Sequence, residues 1–210
     1  MTGSTAPEWP NGVRALNKLS APIRQIGVIV RDIDSAMRYW SELTGVGPFV
    51  VFRNLALDDD YRYRGRLSKP PVVDLALGYS GAIQFELIQQ LNDAPSGFLD
   101  YIAAGQEGMQ HVSPQFASPE EYDAAYAHLC GNGLEVVHEG RMKDTPFRIA
   151  YFSLPGGGFP QYEISEVRHP SMVPAFDRIQ QLNEEWDGTT PAVIEIMDMA
   201  EMGKVLGLEP

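Results

Sequence analysis

Four short segments of the chain each put a metal-capable side chain in the middle of a β-rich run. They are Gln25 in IRQIGVIV, Glu86 in AIQFELIQ, His111 in GMQHVSP and Glu163 in PQYEISE. The four fall into two pairs of similar spacing, 61 residues from position 25 to 86 and 52 from 111 to 163. That spacing suggests one structural unit built twice, each copy giving one ligand from its first strand and one from its last. Three oxygen donors and one imidazole form a hard to borderline set, suited to a single Zn, Ni, Co, Mn or Mg ion. Such an ion polarises a carbonyl, while a neighbouring carboxylate moves the proton on the adjacent carbon.

Strands must aim these side chains, and side-chain alternation says how. Residues two apart share a face. Gln84, Glu86 and Ile88 stand on one face, with Ile83, Phe85 and Leu87 on the other. Gln161, Glu163 and Ser165 oppose Tyr162 and Ile164. Met109, His111 and Ser113 share a face, as do Ile23, Gln25 and Gly27. In each strand the greasier face can pack on a helix, which leaves the candidate looking into a more polar compartment. The competing reading is a sheet with one wet side, where a Glu does nothing. Coincidence at matching places in two repeats favours the metal.

The order of elements supports the repeat. IRQIGVIV (23–30) is followed by a helix capped at Asp32 or Asp34, with Ala36, Met37, Trp40 and Leu43 at helical spacing up to Gly45. FVVF, VVDLALGY and AIQFELIQ then give three strands, the last two joined at Ser80-Gly81. The second half starts with GMQHVSPQF. Its helix, SPEEYDAAYAHLC, has Ser118 as cap, Pro119 in the first turn and Glu121 at the capping-box position. LEVVHEG, FRIAYFSL and FPQYEIS follow as strands. This predicts an α+β fold of two tandem βαβββ modules forming a metal-holding cup. Module one covers about 22–91 and module two about 107–168, within a domain spanning 22–168. Residues 1–21 read as a flexible arm. Residues 169–210 read as a helical extension, PSMVPAFDRIQQLNEEW and then a second helix opened by Pro191.

A net charge of −12 disfavours nucleic acid and anionic membrane surfaces as partners. The one cysteine, Cys130, excludes an intrachain disulfide and reads as a buried structural thiol. The N-terminus lacks the basic start and apolar run of a secretory signal, and no apolar stretch reaches membrane-spanning length. A cytoplasmic homodimer is the expected setting.

The segments QIGVIVRDIDSAMRYWSELTGVGPF, IQFELIQ, GQEGMQHVSPQF and YFSLPGGGFPQYEIS resemble the vicinal oxygen chelate superfamily, most nearly its glyoxalase and methylmalonyl-CoA epimerase branch. The resemblance covers about residues 23–166. It implies that Gln25, Glu86, His111 and Glu163 are the metal ligands. It also implies that the last-strand Glu163 can leave the metal and act as base, with Glu86 as its counterpart. The activity implied is a divalent-metal-dependent isomerase or lyase acting next to a carbonyl or acyl-thioester group. A non-catalytic small-molecule-binding relative is the alternative. An extradiol dioxygenase ranks lower, since its iron needs two His and Gln25 stands where the first belongs.

Further residues are weaker candidates for substrate binding. Tyr61, Arg62, Tyr63, Arg64 and Arg66 form a basic, aromatic stretch in which Tyr63 and Arg64 could hold a carboxylate or a CoA phosphate. The same stretch also reads as an edge strand made unwelcoming to other edges. Phe52, Tyr79, Phe116, Phe147 and Phe152 are candidate apolar lining, and His138 a candidate at the cavity mouth. His128 and His169 lie off the ligand strands. Gly156-Gly157-Gly158 lacks the helix and Lys of a phosphate loop and reads as a turn.

Overall fold

In the computed structural model, which describes residues 21–143, 145–189 and 192–208, the two halves meet at their first strands. The first half runs β1 (Gln25–Ile29), α1 (Ile33–Thr44), β2 (Phe49–Ala56), a small hairpin of β3 (Arg62–Tyr63) and β4 (Arg66–Leu67), β5 (Val72–Ser80) and β6 (Ile83–Gln90). A short helix α2 (Gly97–Ala103) leads to the second half: β7 (Gly108–Ser113), α3 (Pro119–Gly131), β8 (Glu135–Arg141), β9 (Arg148–Ser153) and β10 (Gln161–Ser165). The chain then forms α4 (Val173–Glu185), β11 (Val193–Ile196), a 3-10 turn at Met199–Glu201 and the single-turn α5 (Met202–Val205). The expected arm falls almost wholly outside the described residues, as does Pro191.

All strands join one curled sheet in the order β11-β2-β5-β6-β1-β7-β10-β9-β8-β3-β4. In each module the first strand pairs parallel with the last, β1 with β6 and β7 with β10. The two first strands pair antiparallel with each other. The four strands carrying Gln25, Glu86, His111 and Glu163 are therefore consecutive: β6, β1, β7, β10. The far edges also approach, because Leu57 bridges Met142 and β3 adds to β8. The sheet curls around a space that the ligand strands face.

Local chemistry sets the helices. Asp32 caps α1 by accepting from the Ser35 N–H at 2.9 Å, and Gly45 ends it at φ 72°, a conformation glycine adopts at no steric cost. Ser118 and Glu121 cap α3 reciprocally, accepting from the backbone N–H of Glu121 and of Ala117. Helix α1 packs Ile33 and Met37 on the convex face with Phe49, Val51, Ala76 and Leu87. Helix α3 does the same for module two, with Tyr122, Ala125 and Leu129 against Ala150, Phe152 and Ile164. Cys130 lies beside that buried stripe and is exposed, which corrects its reading as a buried thiol.

The C-terminal segment lies on the other side. Phe176 and Ile179 of α4 pack on Val50, Phe52, Leu77 and Tyr79, the concave face of β2 and β5. The expected second helix is mostly not one. Its VIEI stretch is β11, paired parallel with the edge strand β2, and a 3-10 turn and the single-turn α5 follow. Val and Ile suit a pleated surface, and the open edge of β2 supplies the partner.

Candidate metal centre

Glu86, His111 and Glu163 converge so that one donor atom from each lies within 4.8 Å of the others. His111 Nε2 stands 3.2 Å from Glu86 Oε2 and 3.5 Å from Glu163 Oε2. Gln25 joins them from β1. All four residues are buried, at 0–7% exposure. The sheet register explains the convergence, since Gly27 pairs with Glu86 on one side and with His111 on the other. A Cβ at position 27 would lie only 1.8 Å from His111 Cε1. The missing side chain of Gly27 is thus the space in which the imidazole lies.

A β-bulge aims that imidazole. Register slips between Gly27 and Val28, so Gln110 is an extra residue on β7, buried beside His111 rather than turned away. The slip also breaks the simple alternation read from sequence, and Met109 is half exposed. Gln110 Oε1 lies 2.7 Å from His111 Nδ1. An amide oxygen only accepts, so Nδ1 carries the proton and Nε2 presents its lone pair to the carboxylates. This is how a protein fixes a metal-binding His tautomer.

Electrostatics make the cluster unstable as a set of bare charges. Burial pushes Glu86 up to about 8, opposed by a hydrogen bond from Gln25. Burial, then the charge of Glu86, pushes Glu163 up to about 7, while His111, Ser113 and Tyr151 pull it down. Burial lowers His111, with the charge of Glu163 acting the other way. Gln25 Oε1 and Glu163 Oε2 are buried with no hydrogen-bond partner among the described residues, although Gln25 Nε2 is held by Gln84 Oε1 at 2.8 Å. Buried acceptors left unpaired are costly. A divalent cation would satisfy both oxygens and offset two buried negative charges, so the residues present fit a metal.

The site opens into a cavity between the sheet and the C-terminal segment. Gln25, Glu86, Tyr151, Glu163 and Ser165 line its polar end. Of the substrate-binding candidates, Phe52 lines this cavity, and Tyr63, Arg64, Tyr79, Phe116, His138, Phe147 and Phe152 do not. The Tyr63 hydroxyl donates to Asp100 at 2.9 Å, and Arg64 pairs with the same carboxylate at 3.0 Å, so both are engaged on α2. The Tyr79 hydroxyl accepts from Gln84 Nε2 at 2.6 Å within the core. Phe116 and Phe152 pack under α3. His138 is 1% exposed, its Nδ1 accepting from the Gly97 N–H at 3.1 Å, and burial pushes it down to about 3. Phe147 packs against His169 instead of lining the cavity.

Tyr151 and Ser165 escaped the reading from sequence. Tyr151 pairs with Glu163 across β9 and β10. Its neighbour Phe152 faces the opposite way, so the alternation of FRIAYFSL held the signal. Ser165 is two residues from Glu163 on the same face, and its Oγ is buried without a partner among the described residues.

Two βαβββ modules sharing one buried carboxylate–imidazole cluster define a class of protein in which a paired fold builds a single site. A family model described as Glyoxalase/Bleomycin resistance protein/Dioxygenase superfamily matches residues 24–152, and the chain belongs to that superfamily. No curated protein matches the sequence. Among solved structures, methylmalonyl-CoA epimerase from Mycobacterium tuberculosis is similar at 20% identity and a TM-score of 0.49, over 72% of this chain and 91% of that one. A methylmalonyl-CoA epimerase from Streptomyces coelicolor is similar at 20% identity and a TM-score of 0.45, over 70% and 96%.

Proposed function

We propose that the protein is a divalent-metal-dependent isomerase or lyase that moves a proton on the carbon next to a carbonyl of a small organic substrate. The observation that carries this reading is the buried cluster itself. Two buried carboxylates, Glu86 and Glu163, lie 3.2 and 3.5 Å from the imidazole of His111, and both line a cavity beside it. Gln25, Glu86, His111 and Glu163 would hold the ion. A bound divalent cation would polarise the substrate carbonyl and acidify the adjacent C–H.

The remaining work falls to the chain's own groups. A carboxylate beside the substrate carbon is a competent base when it is ionised and free of the ion, and it can return the proton it takes. Glu163 has an unpartnered oxygen in the cavity wall and is assigned as that base. Glu86, on the opposite strand of the cluster, is assigned as the counterpart for the other face of the carbon. The apolar walls exclude water that would otherwise compete for the base.

The test begins with elemental analysis of protein purified without chelator or added metal. Wash-in of deuterium at the α-carbon of hydroxyketones and acyl thioesters is then followed by NMR. About one equivalent of a divalent metal, with exchange that ends on chelation, is the expected result. Bound metal with no exchange on any substrate class would favour a binding protein, and oxygen uptake with catechols a dioxygenase.

A further inference from the structure

The cavity's charge pattern says what kind of molecule can occupy it. Beyond the polar end, its walls are apolar: Leu75, Leu77 and Ile88 from the sheet, Phe98 from α2, and Met172 and Phe176 at α4. Among the described residues that line it there is no Lys, Arg or His. The only ionisable carboxylates there, Glu86 and Glu163, would be taken up by the ion, so the lining offers no second positive charge to an anion. Three arginines near it in the chain or the fold are engaged outside the cavity. Arg64 pairs with Asp100, Arg148 with Glu166 and Asp123, and Arg53 with Asp34, Asp74 and Glu195. A carboxylate or phosphate placed against these walls would lose its water and gain no partner.

Two further features describe the ligand. Ser165 is 1% exposed and lines the polar end, and its Oγ has no hydrogen-bond partner among the described residues, so a polar atom of the occupant can satisfy it. Met142, Met172 and Met199 reach the cavity from three separate segments. Unbranched thioether side chains adapt to irregular apolar shapes and pack well on aromatic rings.

We infer that the substrate is an uncharged, predominantly apolar or aromatic carbonyl compound, bound carbonyl-first with its body between the sheet and the C-terminal segment. This rests on the carbonyl chemistry proposed above and narrows it, since substrates carrying a charged group on the buried body are excluded.

The test uses metal-loaded full-length protein and two probes alike in size. These are the 4-isopropyl and 4-carboxylate derivatives of 2-hydroxypropiophenone, which share the hydroxyketone end and differ in charge at the far end. Calorimetry is expected to show the isopropyl compound binding at least about 30-fold more tightly. Met199 is only partly buried, so Met199→Lys places a cation in the wall with little cost to folding. That variant is expected to reverse the preference toward the carboxylate by about 10-fold or more. Equal or tighter binding of the carboxylate by the wild type overturns the inference, as does failure of both probes to bind at millimolar concentration. If Met199→Lys does not fold, the wild-type pair still decides. Deuterium exchange is read separately. Tight binding of the isopropyl compound without exchange removes the proposed reaction and leaves the inference standing. Preference for the carboxylate with exchange does the reverse.

Discussion

In the proposed reaction Glu163 and Gly27 have different roles, and each is testable by changing an atom or two. Glu163→Gln keeps an oxygen donor of the same length but removes the basicity. Metal content should fall only modestly, whereas α-proton exchange should drop by about 10²–10⁴-fold, the usual contribution of a general base. Normal turnover in that variant would pass the proton transfer to Glu86. Gly27 supplies no donor at all. Yet in Gly27→Ala the new methyl would occupy the imidazole's place, 1.8 Å from Cε1, and the strand on which it sits is paired on both sides. His111 must give way, so metal affinity measured by competition with a chelator should fall by about 10–100-fold, as for loss of an outer-shell support. An unchanged affinity would mean that the imidazole does not ligate. These residues also mark what could be read beforehand. Alternation placed Gln25 and Gly27 on one face, and Glu163 with Ser165. It could not place Gln110, because a bulge adds a residue without any signature in the local sequence.

Elements with their own start and stop signals were legible, and those defined by a partner were not. Helices α1 and α3 follow from Asp32, Gly45 and the Ser118–Glu121 box. Helix α2 covers only Gly97–Ala103, too short for a hydrophobic period to show, although Ser96 caps it. Strand β11 was hidden because its four residues have meaning only beside β2. Its anchor is Arg53 on β2, which reaches Glu195 at 2.8 Å, Asp74 at 2.9 Å and Asp34 at 2.6 Å. One guanidinium thus ties α1, β5 and β11 to β2. Removing it in Arg53→Ala leaves three acidic groups facing each other, one of them largely buried. The expected cost is about 1–3 kcal/mol, the range for loss of a charged hydrogen-bond partner. Hydrogen exchange should quicken first in Val193–Ile196, with β6 and β7 little changed. Uniform loss of protection would show instead that β11 and the central strands open as one unit.

At the scale of the whole molecule, the buried carboxylates tie stability to pH, and the metal proposed for them would tie it to metal as well. Glu86 is raised from 4.5 to about 8 and Glu163 from 4.5 to about 7, chiefly by burial. The folded metal-free protein therefore keeps protons that the unfolded chain releases above about pH 4.5. Because the folded state binds more protons, raising the pH destabilises it, through the window from 4.5 to about 8. A divalent cation works in the opposite sense, since it takes the place of those protons and binds best when the carboxylates are ionised. The rise in melting temperature produced by saturating metal should therefore be small at pH 5 and grow steadily to pH 8. Glu86→Gln and Glu163→Gln should each flatten the pH dependence of the metal-free protein, because each removes one proton-binding group. Thermal melts of metal-free and metal-loaded protein across that range measure both effects. A metal-induced rise that is independent of pH would place the ion outside this cluster. The chain's net charge of −12 adds a general preference for cations, but that field is screened by salt, whereas the buried centre is not. Repeating the melts at high ionic strength separates the two, and the pH-dependent part should persist.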